Sequence, residues 1–326
     1  MALFGKKDKA KRERALRIFF ASDVHGSERC FRKFLAAGTV YEADAIIMGG
    51  DFAGKGLVPI AREDGKLHAR VRGDEVVVAE EEYDALEAEI NRYGYYAREM
   101  TRDEVDAARG DPETVDGLFR DEIARQLNRW SDLAAERLPD HVRCFVTPGN
   151  DDPGEMDKVL AKSTRIECPS MGWTDLGPTS MVSLAFTPPT PWDTERELPE
   201  ERLTELIATM MRDGPADRPV IMNFHCPPYG SGLDNAPELD TTLRPVIRGG
   251  RPSFIPVGST AVREAIKTYQ PVLGLHGHIH ESRAVQKIGR TLCVNPGSDY
   301  TADVLRGVVV DLADDGSVLD FLLTAG

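Results

Sequence analysis

Seven residues of types that bind divalent cations stand in five short motifs. They are Asp23 and His25 in Asp-Val-His, Asp51 after Gly49-Gly50, Asn150 in Gly149-Asn150-Asp151-Asp152, His225 before Cys226-Pro227-Pro228, and His278 and His280 in His276-Gly277-His278-Ile279-His280. Carboxylate oxygens and imidazole nitrogens together suit Mn, Fe or Zn. Ligands two apart on an extended segment point the same way, so Asp23 and His25 can share one ion, and His278 and His280 can offer imidazoles to adjacent ones. The two oxygens of Asp51 can bridge cations, and the neutral oxygen of Asn150 completes a shell without adding charge. Taken singly, each motif has an ordinary explanation as a turn, a cap, a surface acid or a core histidine. Jointly they do not: of seven histidines in the chain, four fall at these positions, and a metal site is the expectation. His276 adjoins them, while His68 and His141 have no partners in sequence and read as structural or surface residues.

The elements that must position these residues follow from hydrophobic patterning. Residues 16–21, 43–48, 142–147 and 219–224 are apolar runs that end in glycine or polar residues, as buried strands delivering loops to one edge of a sheet do. Helical patterns lie over 28–36, 155–162, 199–212 and 259–269, the last opening on a Ser-Thr cap. After His280 the pattern changes to short strands over 283–288, 291–294, 306–312 and 317–323, which suits antiparallel pairing. The class is therefore α/β with a mixed sheet or two sheets.

Residues 55–137 break the alternation and separate Asp51 from Asn150 by far more than a loop. They read as an insertion, a cap or an interface, within one domain spanning 1–326, behind a basic tail at 1–14. Within it, 67–71 and 75–79 form a hairpin about Arg72-Gly73-Asp74, and 80–100 and 115–138 are helical. Leu118, Phe119, Ile123, Leu127, Trp130 and Leu133 make a stripe on the second helix that reads as core. Tyr93, Tyr95 and Tyr96 either line a substrate mouth or pack the insertion.

Composition narrows the partners. A formal charge of -14 repels nucleic-acid backbones, so nucleic acid is disfavoured, whereas a small phosphate compound is compatible because bound cations reverse the charge locally. No apolar run is long enough to span a bilayer, and the start of the chain lacks the apolar stretch of a secretory signal. Five scattered cysteines fit a reducing compartment, and a cytoplasmic location is expected.

The motifs, in this order, resemble the calcineurin-like metallophosphoesterases, in particular their smaller bacterial and archaeal members. That family's pattern is Asp-x-His, Gly-Asp, Gly-Asn-His followed by Asp or Glu, a lone His, and Gly-His-x-His; Asn295-Pro296-Gly297-Ser298 also looks like the segment after its last motif. The resemblance implies a four-layer αββα sandwich of two mixed β-sheets flanked by helices, here with a largely helical insertion. It implies two divalent metal ions (Mn, Fe or Zn): Asp23, His25 and His280 would hold the first, Asn150, His225 and His278 the second, and Asp51 would bridge them. The implied reaction is hydrolysis of a phosphate ester by metal-generated hydroxide.

One position departs from the pattern. Asp151 stands where the family has a histidine that assists the leaving group, and it is the candidate for that catalytic position. An ionised Asp151 opposes a dianionic monoester more than a monoanionic diester, unless burial or a facing Asp152 raises its pKa. Phosphodiesters are therefore the expected substrates; a phosphomonoesterase or protein phosphatase is the alternative, and a non-catalytic scaffold on the same fold is a third reading. A scaffold has no need to keep all seven ligands. Asn150 and Arg283 are candidate substrate contacts, Lys55 a further one, and the insertion is a candidate surface for self-association.

Overall fold

The structure, a computed structural model, describes residues 13–326, so the expected basic tail lies outside the described residues except for its last two positions. At the start of the described chain, β1 (Leu16–Ala21), α1 (Glu28–Val40) and β2 (Ala45–Met48) form a strand–helix–strand unit in which β1 and β2 run parallel side by side. The insertion then contributes β3 (Gly56–Glu63), β4 (Lys66–Val71), β5 (Asp74–Ala79), α2 (Tyr83–Arg92), β6 (Tyr95–Met100), α3 (Arg102–Arg109) and α4 (Pro112–Arg137). The chain returns through β7 (Arg143–Val146), α5 (Glu155–Leu160), β8 (Ile166–Glu167), β9 (Met171–Asp175), β10 (Ser180–Leu184), α6 (Glu200–Arg212) and β11 (Val220–Phe224). An excursion of four very short strands, β12 (Asn235–Pro237), β13 (Ile247–Arg248), β14 (Arg251–Pro252) and β15 (Phe254–Pro256), precedes α7 (Thr260–Tyr269) and β16 (Leu273–Leu275). The chain ends in β17 (Ala284–Ile288), β18 (Thr291–Asn295), β19 (Arg306–Leu312) and β20 (Val318–Ala325).

Two six-stranded mixed sheets result, ordered β20-β19-β1-β2-β7-β8 and β17-β18-β16-β11-β10-β9. Period-2 alternation assigns their faces. Ile18, Phe20, Ile47 and Phe145 of the first sheet share one core with Met181, Ile221, Leu273 and Val294 of the second, so the sheets pack face to face. The opposite residues of the first sheet, Phe19, Ala21, Ile46 and Val146, pack on Phe31, Phe34, Trp130 and Leu160 of α1, α4 and α5. Those of the second, Val182, Met222 and Phe224, pack on Leu203, Ile207, Val262 and Ile266 of α6 and α7. The layers are therefore helix, sheet, sheet, helix. Burial on both faces is why these strands read as unbroken apolar runs.

In the insertion the expected hairpin is present, in a sheet ordered β5-β4-β3-β6 with its own core of Val58, Ile60, Leu67, Leu86 and Ile90. The helix expected over 80–100 stops at Arg92; Gly94, at φ 80°, turns the chain, and Tyr95–Met100 becomes a strand parallel to β3. The α4 stripe does pack as core: the Trp130 ring stacks on Phe31 with centroids 4.2 Å apart. After His280, β17–β18 and β19–β20 are antiparallel, while β18 also runs parallel to β16. All five cysteines are free, four of them buried. Among the described residues, no helix is long and apolar enough to cross a membrane.

Candidate metal centre

Strands β1, β2 and β7 are mutually parallel, as are β11 and β16, so their C-terminal ends deliver the motif loops together. The backbone pairing of β1 and β2 continues past the strands: Asp23 N donates to Gly50 O (2.9 Å), His25 N to Asp51 O (3.0 Å) and Gly26 N to Phe52 O (2.9 Å). The ligand segments are not extended, contrary to the expectation from their spacing. Asp23, His25, Asp51 and His278 have φ of 58°, 42°, 49° and 66°, and it is these left-handed residues that swing the side chains inward. Such backbone is uncommon away from glycine and is held here by the loop hydrogen bonds. Gly50, at φ 126°, allows no substituent: a Cβ there would stand 2.2 Å from His225 Nδ1.

The expected ligand atoms fall into two groups, bridged by a third. Asp23, His25 and His280 offer atoms within 4.8 Å of one another, and so do Asp51, His225 and His278, while His25, Asp51 and Asp151 make a third set that overlaps both. In the first, His25 Nε2 is 3.1 Å from His280 Nε2, which is 3.4 Å from Asp23 Oδ1. In the second, His225 Nε2 is 3.3 Å from Asp51 Oδ1. The Nδ1 atom of His225 donates to Gly49 O at 2.9 Å, which leaves Nε2 for a ligand role. His278 N donates to both oxygens of Asp23, at 3.0 and 3.1 Å.

Asn150 is buried with its Nδ2 donating to Thr194 Oγ1 (3.0 Å) and Asp151 Oδ1 (3.2 Å), while its Oδ1 has no hydrogen-bond partner. His225 Nε2 is likewise buried and faces Asp51 Oδ1. Unpartnered buried acceptors are costly unless a ligand satisfies them. With carboxylate, imidazole and amide donors converging, these residues fit divalent cations.

Electrostatics agrees with a cation site. Burial opposes charge on Asp23 and Asp51, but neighbouring histidines, His280 for the first and His225 for the second, hold both carboxyls well below the usual range. Burial would also lower His225, yet the charges of Asp51 and Asp23 push it up to about 10. Burial lowers His25, and lowers His278 to about 4.

Asp151 reaches the same centre, with Oδ2 4.0 Å from His25 Nδ1 and its backbone N donating to Asp51 Oδ1 at 3.1 Å. Burial and the charge of Asp51 raise its carboxyl to about 7, with Asp152 a lesser cause. Asp152 has a different role. Its buried carboxylate accepts from Phe52 N (3.0 Å), Ala53 N (2.7 Å) and Gly149 N (2.8 Å), stapling the Asp51 loop to the Asn150 loop.

Three further residues support the site. Tyr300 packs against both His25 and His280, with ring centroids 5.0 and 6.0 Å away. Asn295 Nδ2 donates to the carbonyls of Gly277 and Ile279, at 3.2 and 3.0 Å, and so holds the Gly-His-Ile-His turn. Ser298 Oγ donates to Asp23 O at 2.6 Å. The segment 295–298 is the local signal for the last two; nothing in sequence points to Tyr300. Of the two expected cationic contacts, Lys55 sits over the Tyr300 ring, its Nζ 5.7 Å from the centroid. Arg283 turns elsewhere and donates from Nη2 to Thr324 O at 3.2 Å. Tyr96 is buried in the insertion rather than lining a mouth, and Tyr93 lies under Arg72.

The sequence matches no family model. An uncharacterized protein of Methanocaldococcus jannaschii, MJ1162, is 26% identical over 178 residues, covering 53% of this chain and 73% of that protein. The crystal structure of TT1561 of Thermus thermophilus, 16% identical, superposes over 95% of this chain and 98% of that one with a TM-score of 0.53. A second crystal structure, 15% identical, does so over 94% and 98% with a TM-score of 0.55. At this identity the likeness establishes the shared fold. The motif order is the one that resembles the calcineurin-like metallophosphoesterases.

Proposed function

We propose that the chain is a metal-dependent phosphoesterase with two divalent cations, and that phosphodiesters are its preferred substrates. The observation that carries this reading is the convergence of Asp23, His25, Asp51, His225, His278 and His280 from both sheets, with the buried Oδ1 of Asn150 left without a hydrogen-bond partner. Asp23, His25 and His280 would hold one cation, and Asn150, His225 and His278 the other. Asp51 would serve both. When bound, the cations supply Lewis-acid polarisation of the phosphoryl group and lower the pKa of water to the neutral range.

The chain's own residues do the rest. Gly49 O fixes the His225 ring, Asn295 fixes the turn carrying His278 and His280, and Asp152 fixes the Asp51 and Asn150 loops relative to each other. Tyr300 and His25, both buried, pack ring against ring on one side of the site. Asp151 would hold a proton near the leaving oxygen, a role that its carboxyl, raised to about 7, supports. The diester preference rests on its ionised form, which prevails above a pH of about 7 and disfavours a second phosphate charge.

The test is hydrolysis of matched diester and monoester panels with added Mn, using Asp51→Asn as the control. Diester turnover lost in the variant supports the reading. Faster turnover of alkyl monoesters than of every diester would reverse the substrate preference. Wild type that binds no metal and matches the variant would leave a non-catalytic scaffold.

A further inference from the structure

We propose that Lys55, delivered by the insertion, binds a non-bridging phosphate oxygen of the substrate at the mouth of the centre. The assignment rests on the phosphoesterase reading and adds to it a substrate-binding residue that the family's motifs do not contain. Lys55 is the residue just ahead of β3, and two contacts pin its backbone. Its own N donates to Gly94 O at 2.6 Å, and the preceding Gly54 N donates to the Tyr96 hydroxyl at 2.8 Å. Gly94 in turn lies against the centre: a Cβ there would stand 3.0 Å from His25 O and 3.2 Å from Tyr300 Cε2. The first residues of β3 and β6 are thus locked to the His25 loop, and Lys55 is carried with them.

From this anchor the side chain reaches the ring of Tyr300, whose other neighbours are His25 and His280. Its charge acts on Asp151, Asp51 and Asp23 together. Among the described residues, no carboxylate lies in ion-pair contact with Lys55, so the ammonium is not committed to a protein anion. The other cations near these loops are committed. Arg196 donates to Asp152 O (2.8 Å) and Asp157 Oδ1 (2.9 Å), and Arg283 to Thr324 O (3.2 Å). An ammonium on a four-carbon stem is a mobile point charge that suits a phosphate oxygen. It supplies a hydrogen-bond donor on the side of the site where Asp151 replaces the family's histidine. The insertion then has a chemical role beyond covering the site.

The experiment measures inorganic phosphate binding to Mn-loaded protein by titration calorimetry, alongside steady-state kinetics, for wild type, Lys55→Met, Lys55→Arg and Lys66→Met. Lys66 lies on the distal hairpin of the same insertion and controls for loss of one positive charge. Loss of a charge-assisted hydrogen bond should weaken phosphate binding at least about tenfold in Lys55→Met, raise KM more than it lowers kcat, and be partly restored in Lys55→Arg. Lys66→Met should match wild type. A folded Lys55→Met protein, judged by an unchanged melting temperature, that binds phosphate as wild type does overturns the proposal. So does an equal loss in Lys66→Met. If wild type hydrolyses esters while Lys55→Met is indifferent, only this assignment fails. If wild type binds neither Mn nor phosphate, the phosphoesterase reading fails with it.

Discussion

Asp51 turns its two carboxylate oxygens toward different histidines: Oδ1 is 3.3 Å from His225 Nε2 and Oδ2 is 3.9 Å from His25 Nε2. Each oxygen thus faces one of the two ligand groups. Asp51→Asn keeps the shape but replaces one charged oxygen with an NH2 that cannot ligate. The expected outcome is a fall of at least about a hundredfold in kcat/KM, in line with electrostatic stabilisation of the transition state. Metal content by mass spectrometry should drop in parallel. Full metal loading with unchanged activity would overturn the proposed bridging role of Asp51.

Proton release should accompany metal binding. In the metal-free protein His225 is raised to about 10, so it is protonated at pH 7, and Nε2 must lose that proton to bind a cation. The sign follows: apparent metal affinity rises with pH from 7 toward 10. Calorimetric titration of Mn at pH 7 in two buffers of different ionisation enthalpy should show release of about one proton. A buffer-independent heat would contradict the shift.

Much of the site is legible in the sequence because its ligands sit where apolar strands end. Leu16–Ala21 and Val220–Phe224 are buried on both faces, so their boundaries show as abrupt changes to polar residues. Strands with interior polar residues do not announce themselves. Ser180 and Ser183 of β10 are buried, Ser183 accepting from Asn223 Nδ2 at 3.1 Å, and β16 is only Leu-Gly-Leu. Its Gly274 is needed because a Cβ there would lie 2.8 Å from His276 Nε2. Spacing also misleads about geometry: Asp23 and His25 share a centre through left-handed backbone, not through strand alternation. The contacts of Tyr300 with His25 and of Asp152 with Phe52 join distant segments, and no local pattern encodes them. The α4 stripe is legible as core, but its packing on α1 across the main domain is a property of the assembled layers.

A hydroxyl ties the insertion to the His25 loop. The Tyr96 hydroxyl accepts from Gly54 N and donates to Gln126 Oε1, both at 2.8 Å, while Gln126 Nε2 donates to Gly26 O at 2.9 Å. Tyr96→Phe leaves a buried N–H and a buried amide oxygen unpaired, at about 1–3 kcal/mol for an unsatisfied group. Urea unfolding should show that loss of stability. Hydrogen exchange in the variant should become faster at Gly54 and Lys55 while β1 and β2 keep their protection. Uniform protection in the variant would mean that the hydroxyl is not the tie.

Asp152 gives the sharpest separation between holding the site and taking part in it. Among the described residues its two oxygens meet only backbone donors, those of Phe52, Ala53 and Gly149, with Phe52 N shared between both oxygens at 3.0 Å. Burial, with the charge of Asp51, raises its carboxyl to about 6, yet the staple needs acceptors at both ends. Asn has one acceptor oxygen and one NH2, so in either flip an amide donor faces a backbone donor. Asp152→Asn should therefore destabilise the protein by about 1–3 kcal/mol through a lost bond and an opposed N–H. Because the staple fixes the Asp51 loop against the Asn150 loop, metal affinity should fall with it, by roughly 10–100-fold as for other groups that orient ligands. Urea unfolding of the metal-free variant and Mn titration of the folded variant measure the two effects separately. Reduced stability with wild-type metal affinity would show that the loops keep their spacing without Asp152. The reverse pattern would make Asp152 a direct participant in ligation.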